Sequence, residues 1–272
     1  MSIQWFPGHM TKALRQMREV LNQVDLILEL RDARAIASSG NPLLIELKSN
    51  KPSAVLITKK DLADPEETSR WLASFDCPVL ALDLKKDSLE PAVSELCSKA
   101  MQPVLERWQR RGIKPRDFRA MVVGIPNVGK STFLNRMSQK KSAGVADQPG
   151  LTRSLYQIKA KSGLLLVDSP GVLPQKFEDP LAGMHLALIG SIEQKVLPMD
   201  EILDYGFAVL KKDSERFMKA YGFYEESLDL FLKKLQTKKG LSSLEDTKWS
   251  LLRDIQTGRL GRISWERYAD RV

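Results

Sequence analysis

Gly124-Ile125-Pro126-Asn127-Val128-Gly129-Lys130-Ser131 has the spacing GxxxxGKS, and well ahead of it in the chain stands Thr58-Lys59-Lys60-Asp61. The first stretch is the pattern of a phosphate-cradling loop. It follows the apolar run Met121-Val122-Val123 and opens a segment of helical character, Lys130–Ser138. A glycine loop between a strand and a helix exposes consecutive backbone N–H groups, and with the helix N-terminus these form an anion cradle. Gly124 and Gly129 permit the loop's backbone conformation. Lys130 should reach the β- and γ-phosphates of a nucleotide and Ser131 should ligate Mg²⁺, with Asn127, Val128, Gly129 and Thr132 around the same phosphates.

The second stretch closes the apolar run Ser53–Ile57 and reads as a guanine-selecting element. Guanine presents N1–H and N2–H₂ donors on one edge. A carboxylate accepts from both, whereas adenine leaves it unpaired. Asp61 is the residue for this contact. Lys59 should lay its aliphatic stem along the base or the phosphate loop, with Lys60 beside it. The usual first residue of such an element is Asn, and here it is Thr58. A shorter side chain should forfeit a hydrogen bond of roughly 0.5–1.5 kcal/mol. Asp83-Leu84, after the short strand Pro78–Leu82, takes the place of the second guanine-contacting loop, mainly through its backbone. TKKD alone also fits a plain polar strand end.

Nucleotide domains carrying both elements ordinarily run phosphate loop first and guanine element last. Here the order is reversed. Either one match is accidental or the domain is circularly permuted. Asp168-Ser169-Pro170-Gly171, about forty residues after the loop and at the end of Leu164-Leu165-Leu166-Val167, favours permutation. Asp168 can hold the Mg²⁺ shell through water and Gly171 can offer its N–H to the γ-phosphate. Thr152, in Pro149-Gly150-Leu151-Thr152, could complete that shell when γ-phosphate is present, although the segment also reads as a simple Pro-Gly turn.

Strand-like runs alternating with helical ones predict an α/β domain with a mainly parallel sheet over 1–177. Helices are expected over residues 10–22, 65–75 and 88–111, the last interrupted near Pro103. Beyond about residue 178 only helical spacing recurs, as in Leu203, Phe207 and Leu210, then Leu228, Phe231, Leu232 and Leu235, then Leu251, Leu252 and Ile255. A small all-helical domain is therefore expected over 178–272. No run reaches the roughly 18–20 apolar residues of a membrane span, and the start Met1-Ser2-Ile3-Gln4-Trp5-Phe6-Pro7 lacks a signal-peptide pattern. The expected location is cytoplasmic, with no membrane partner. Cys77 and Cys97 lack metal or redox spacing and read as reduced thiols.

The net charge is +8, yet Lys99 to Lys161 holds fourteen Lys/Arg against three Asp/Glu, a larger excess than the whole chain's. A nucleotide needs only one or two of those cations, so the block points to a polyanion such as RNA. Residues 195–272 are nearly balanced, with fifteen basic and thirteen acidic side chains.

With guanine element, phosphate loop, Thr152 and Asp168–Gly171 in this order, the chain resembles the circularly permuted GTPases of ribosome assembly, and most closely the bacterial ribosome biogenesis GTPase A family. The resemblance extends to Phe6-Pro7-Gly8-His9-Met10, to Asp32-Ala33-Arg34 with Asn41-Pro42, and to Arg253-Asp254-Ile255-Gln256-Thr257-Gly258-Arg259-Leu260-Gly261. It implies a GTP- and GDP-binding, GTP-hydrolysing switch in late assembly of the large ribosomal subunit, slow alone and stimulated by the particle. It also implies contact with ribosomal RNA through the helical domain and a monomer off the ribosome. Many GTPases place a Gln after this DxxG to orient water; here Val172 follows Gly171, and the resemblance assigns the task to His9. Read without it, His9 is a surface residue before the first helix. His185, in the apolar stretch Met184–Ile189, reads as packing. Asn127 at its loop position implies K⁺ beside the phosphates as an activator. Two further classes stay open: a non-catalytic, GTP-clamped RNA-binding assembly factor, which Val172 permits, and an ATP-dependent enzyme, which Asp61 opposes.

Overall fold

Leu26–Asp32, Ser53–Thr58, Val79–Ala81, Arg119–Gly124, Gln157–Lys159 and Leu165–Asp168 form strands β1 to β6 of one sheet. The computed structural model of the chain describes residues 8–42, 51–114, 116–138, 157–160, 162–173 and 179–270, with backbone alone at 8–11, 13 and 14. The spatial order is β3-β2-β1-β4-β6-β5, and every neighbouring pair is parallel except the edge pair β5–β6. β1, β2 and β4 are almost wholly buried, as unbroken apolar runs in a parallel sheet must be. The guanine-side strands β1–β3 precede the phosphate-side strands β4–β6 in the chain, yet β1 pairs directly with β4. The chain winds away from that pair in both directions, so the switch point lies between their C-terminal ends, where such sheets bind ligands.

Helix α1 (Gly8–Leu21) leads into β1, α2 (Pro65–Leu72) joins β2 to β3, α3 (Leu89–Arg110) joins β3 to β4, and α4 (Lys130–Met137) follows the phosphate loop. Asp64 caps α2 by accepting from Glu66 N at 2.8 Å and Glu67 N at 3.1 Å, with Pro65 preset as the first helical residue. The expected break at Pro103 does not occur. Pro103 is exposed within the 22-residue helix. Burial of Leu89, Val93, Leu96, Cys97, Ala100 and Met101 against β1 and β2 outweighs the one backbone bond Pro removes. Burial also pushes the Cys97 thiol up to about 12, so it is inert.

Five helices follow: α5 (Pro180–Leu188), α6 (Met199–Leu210), α7 (Glu215–Tyr221), α8 (Leu228–Lys239) and α9 (Leu244–Thr257). Phe231 is their hub, with its ring 5.0 Å from Phe217, 5.1 Å from Phe223 and 5.5 Å from both Phe207 and Tyr221. The boundary expected near residue 177 falls in 174–178, outside the described residues. After α9 the chain does not stay with the helices. Ile263 N donates to Leu62 O at 2.9 Å, Trp265 N to Arg34 O at 2.7 Å and Tyr268 N to Glu67 at 2.9 Å. The C-terminal tail is thus stapled to the loop after β1 and to the segment that follows the guanine element. Among the described residues no helix is long and apolar enough to cross a membrane.

Candidate nucleotide site

β4 ends at Gly124, whose φ of +156° is open to glycine, and a Cβ there would stand 2.7 Å from Leu30 O. The loop then turns through left-handed Asn127 (φ 57°) into α4. It walls a cavity of about 560 Å³ lined by Lys59, Asn127, Gly129, Lys130, Ser131, Thr132, Asp168 and Gly171 among others. Elements more than a hundred residues apart therefore converge at the sheet's switch point. Val128 is buried beneath the loop, and Leu84 packs so close to Gly129 that a Cβ on that glycine would lie 3.1 Å from it.

Lys130 turns its ammonium back onto the loop, donating to Gly124 O at 2.9 Å and Ile125 O at 2.8 Å. Burial pushes it down to about 8, against the pull of the Asp168 carboxylate. Burial likewise raises Asp168, against Lys130. A partly buried ammonium held by neutral carbonyls is short of negative charge, which nucleotide phosphates supply. Gly171 lies beside it, and a Cβ there would stand 3.0 Å from both the Lys130 Nζ and Pro126 N. Only glycine brings this backbone so near the ammonium. Affinity for GDP should therefore fall as pH rises above about 8. There the free chain loses the Lys130 proton while the bound form keeps it, so the complex holds more protons. Titrations from about pH 7 to about pH 9 should record a loss of about tenfold by the upper end; a flat curve would contradict it.

Ser131 and Asp168 border the same cavity. A hydroxyl and one carboxylate suit Mg²⁺, which keeps several waters and takes other ligands from substrate phosphates. Among the described residues no cluster of three or more His, Cys, Asp or Glu side chains gathers. Thr152 lies outside the described residues. Asn127 donates through Nδ2 to Gly190 O at 2.7 Å, leaving its Oδ1 as the side-chain oxygen a cation could use.

On the guanine side Thr58 makes a bond within the fold. Its fully buried hydroxyl donates to Val128 O at 2.6 Å, tying β2 to the phosphate loop. The shorter side chain keeps a cross-tie of its own. Lys59, left-handed at φ 56°, donates to Asn127 O at 2.7 Å and pairs with Asp32 at 2.9 Å. Its stem follows the loop. Asp61 lies in the short 3₁₀ turn Lys60–Leu62, and Lys60 reaches Asp87 at 2.6 Å. Asp83 spends its carboxylate on Lys85 N (2.8 Å), while its own N–H donates to Asp87 (2.9 Å). Asp87, absent from the sequence reading, thus holds the second loop in shape.

Asp32 and Arg34 take roles that motif spacing did not reveal. Asp32 is fully buried and accepts from Arg34 Nε at 2.9 Å and Nη2 at 2.8 Å. Burial alone would raise its pKa, but Arg34 and Lys59 hold it at about 2. The same guanidinium donates to Gln256 O at 2.7 Å and Ile189 O at 3.0 Å, at the C-terminal ends of α9 and α5. A cation there meets the negative ends of both helices.

Val172 is buried, and Asn41 Nδ2 donates to its carbonyl at 2.6 Å. The valine side chain cannot orient water. His9 lies in the first turn of α1 rather than ahead of it, with its side chain outside the described residues. His185 is buried but is no plain packing residue. It bonds Tyr205 Oη at 2.8 Å and stands 3.3 Å from both Ser38 Oγ and the Glu266 carboxylate, cross-linking the β1 loop, α5 and the tail.

A family profile described as 50S ribosome-binding GTPase matches residues 119–234. Proteins named Ribosome biogenesis GTPase A from Bacillus pumilus and Priestia megaterium are 36% and 37% identical, each over 98% of this chain and over 99% and 97% of those proteins. The fold is similar to that of a GNP-bound YlqF from T. maritima, with TM-score 0.68 and 24% identity over 94% of this chain and 98% of that one. Full-length identity at this level, on a permuted sheet whose switch point gathers both nucleotide elements, identifies the chain as a GTPase of the ribosome biogenesis GTPase A family.

Proposed function

We propose that the chain is a GTP-driven switch in late assembly of the large ribosomal subunit, acting as a cytoplasmic monomer until it meets the particle and its RNA. Residues 1–177 read the nucleotide, and 178–272 carry its state to the ribosome. The observation that carries this reading is the hydrogen-bonded connection, direct at Asn127 and relayed from Lys59, between the nucleotide elements and the ends of the C-terminal helices. Asn127 of the phosphate loop bonds Gly190, and Lys59 reaches Ile189 and Gln256 through Asp32 and Arg34. A shift of the loop or of Lys59 on nucleotide exchange must be felt at those helix ends. Binding of the chain to purified large subunits should differ about 5- to 150-fold between GDP and a non-hydrolysable GTP analogue. Equal affinities would remove the switch.

Asp61 selects the base, with Thr58, Lys60, Asp83 and Leu84 shaping the walls. Lys130 leaves the Gly124 and Ile125 carbonyls for the phosphates, and Gly171 offers its N–H at the γ-position. Ser131, Thr152 and Asp168, the last through water, hold Mg²⁺, which neutralises charge on the phosphates when bound. Hydrolysis needs a group other than Val172, and His9 is the residue for it: a neutral imidazole accepts a hydrogen bond from water and orients it. His9→Ala should keep GTP binding but lose particle-stimulated turnover, read as phosphate release with and without large subunits. The same assay in potassium and in sodium tests Asn127 as a K⁺ ligand, and equal rates would remove that role. The buried Val172 also favours a second reading, a GTP-clamped assembly factor without turnover. Absence of any particle-stimulated release by the wild-type chain would select it.

A further inference from the structure

The positive excess of this chain lies outside its helical part, and much of it gathers at one end of α3. Arg107, Arg110 and Arg111 stand at i, i+3 and i+4, on one face of the helix, and all three are exposed. Exposed Lys114 follows just beyond the helix end. Among the described residues none of the four has an acidic partner. Their neighbours do: Arg116 grips Asp25 at 2.7 Å and Lys159 pairs with Asp117 at 3.0 Å.

Cations at a helix C-terminus ordinarily complement its dipole. Here the last carbonyls are already met by backbone donors. Arg111 N bonds Arg107 O, Gly112 N bonds Gln109 O and Ile113 N bonds Trp108 O. Like charges at this spacing repel one another, so nothing in the fold accounts for the cluster. Nor does the nucleotide. Trp108 stacks on Arg116, 5.2 Å from ring to guanidinium, and Arg116 holds Asp25 just before β1. The cluster therefore sits at the N-terminal edge of the parallel sheet, opposite the phosphate loop. Ile113, about half exposed at 47%, adds an apolar contact beside it.

We propose that this end of α3, with Arg107, Arg110, Arg111 and Lys114, docks the phosphate backbone of structured RNA. Several unpaired cations on one exposed face match a polyanion. Guanidinium groups take phosphate oxygens in bidentate fashion without reading sequence. The GTPase half would then hold RNA directly, on the face away from the nucleotide. The proposal rests on the assembly reading above for the source of that RNA.

The test uses the full chain, a fluorescein-labelled 20-base-pair RNA hairpin and purified large subunits. The probes are the wild type, the triple variant Arg107→Gln, Arg110→Gln, Arg111→Gln, and the matching triple to Lys. The Gln variant should bind the hairpin at least about tenfold more weakly at low salt. Its slope of log affinity against log salt should shrink by about 2–3. The Lys variant should keep most of the slope. Intrinsic GTP hydrolysis and thermal midpoint should stay at wild-type values. Unchanged hairpin affinity and slope in the Gln variant would overturn the proposal. So would weaker subunit binding with hairpin binding intact, which would assign the surface to a protein partner. Wild-type chain that binds the hairpin but not the subunit would sink the assembly reading and leave the RNA surface standing.

Discussion

Asp61→Asn should cost the chain most of its affinity for GDP and GTP while giving it affinity for xanthine nucleotides. The carboxylate is the acceptor for guanine N1–H and N2–H₂. An amide returns one acceptor and places an NH₂ donor against the guanine amine, donor against donor. Two hydrogen bonds to a charged group, at about 1.5–3 kcal/mol each, correspond to a loss of roughly 10² to 10⁴ in affinity. Xanthine carries a carbonyl where guanine carries that amine, so the amide matches it. The fold should not suffer. Asp61 is only half-buried, and its turn is pinned from outside by Ile263 N on Leu62 O at 2.9 Å and by Ser264 Oγ, which accepts from Asp64 N at 3.1 Å. Displacement of a fluorescent GDP by GDP and by XDP, in the wild type and the variant, reads both changes. A variant that still prefers GDP by the wild-type margin would show that the carboxylate does not read the base.

What could be read from the chain followed from local rules. Buried parallel strands are continuous apolar runs, so β2 and β4 were visible, and the phosphate loop announced itself by what flanks it. The two motifs in reversed order left an accidental match or a permuted domain, Asp168-Ser169-Pro170-Gly171 favoured the second, and the cavity that Lys59 and Lys130 share agrees with it. Local rules failed where distant residues decide. Pro103 reads as a break, and only the burial of α3 against the sheet overrides it. α5 is apolar around most of its circumference and has no stripe to detect. α7, at seven residues, is too short for periodicity. The contacts joining nucleotide site to helices were illegible for another reason. Arg34 meets Gln256, and Trp265 meets Arg34, across more than two hundred residues, largely through backbone carbonyls that carry no side-chain signature. Asp32-Ala33-Arg34 and the run around Gln256 could be noticed only as family resemblance. Their physical connection, one guanidinium between a buried carboxylate and two helix ends, belongs to the folded chain.

That connection sets the second large effect. Asp32→Asn should destabilise the chain by about 3–5 kcal/mol, because it leaves the buried Arg34 and the partly buried Lys59 without their shared anion. Part of this should depend on pH. With Asp32 held at about 2 in the folded chain against 3.8 unfolded, its contribution is fully present above about pH 4. It fades as pH falls toward about 2, because the unfolded chain takes up the proton first. Its size is roughly 2 kcal/mol. Urea titrations at neutral pH should show the full gap between wild type and variant, and the gap should narrow as pH falls through that window. A constant gap would mean that the carboxylate is not the group responsible. Should the Asn variant fail to fold, Arg34→Lys separates stability from signalling. A lysine keeps a charge for Asp32 but lacks the planar fork that also reaches Ile189 O and Gln256 O. It should bind GDP nearly as the wild type does, yet lose the difference in large-subunit binding between GDP and a non-hydrolysable GTP analogue. If that difference persists, the nucleotide state travels to the helices by Asn127 and Gly190 alone, and Arg34 serves only to neutralise Asp32.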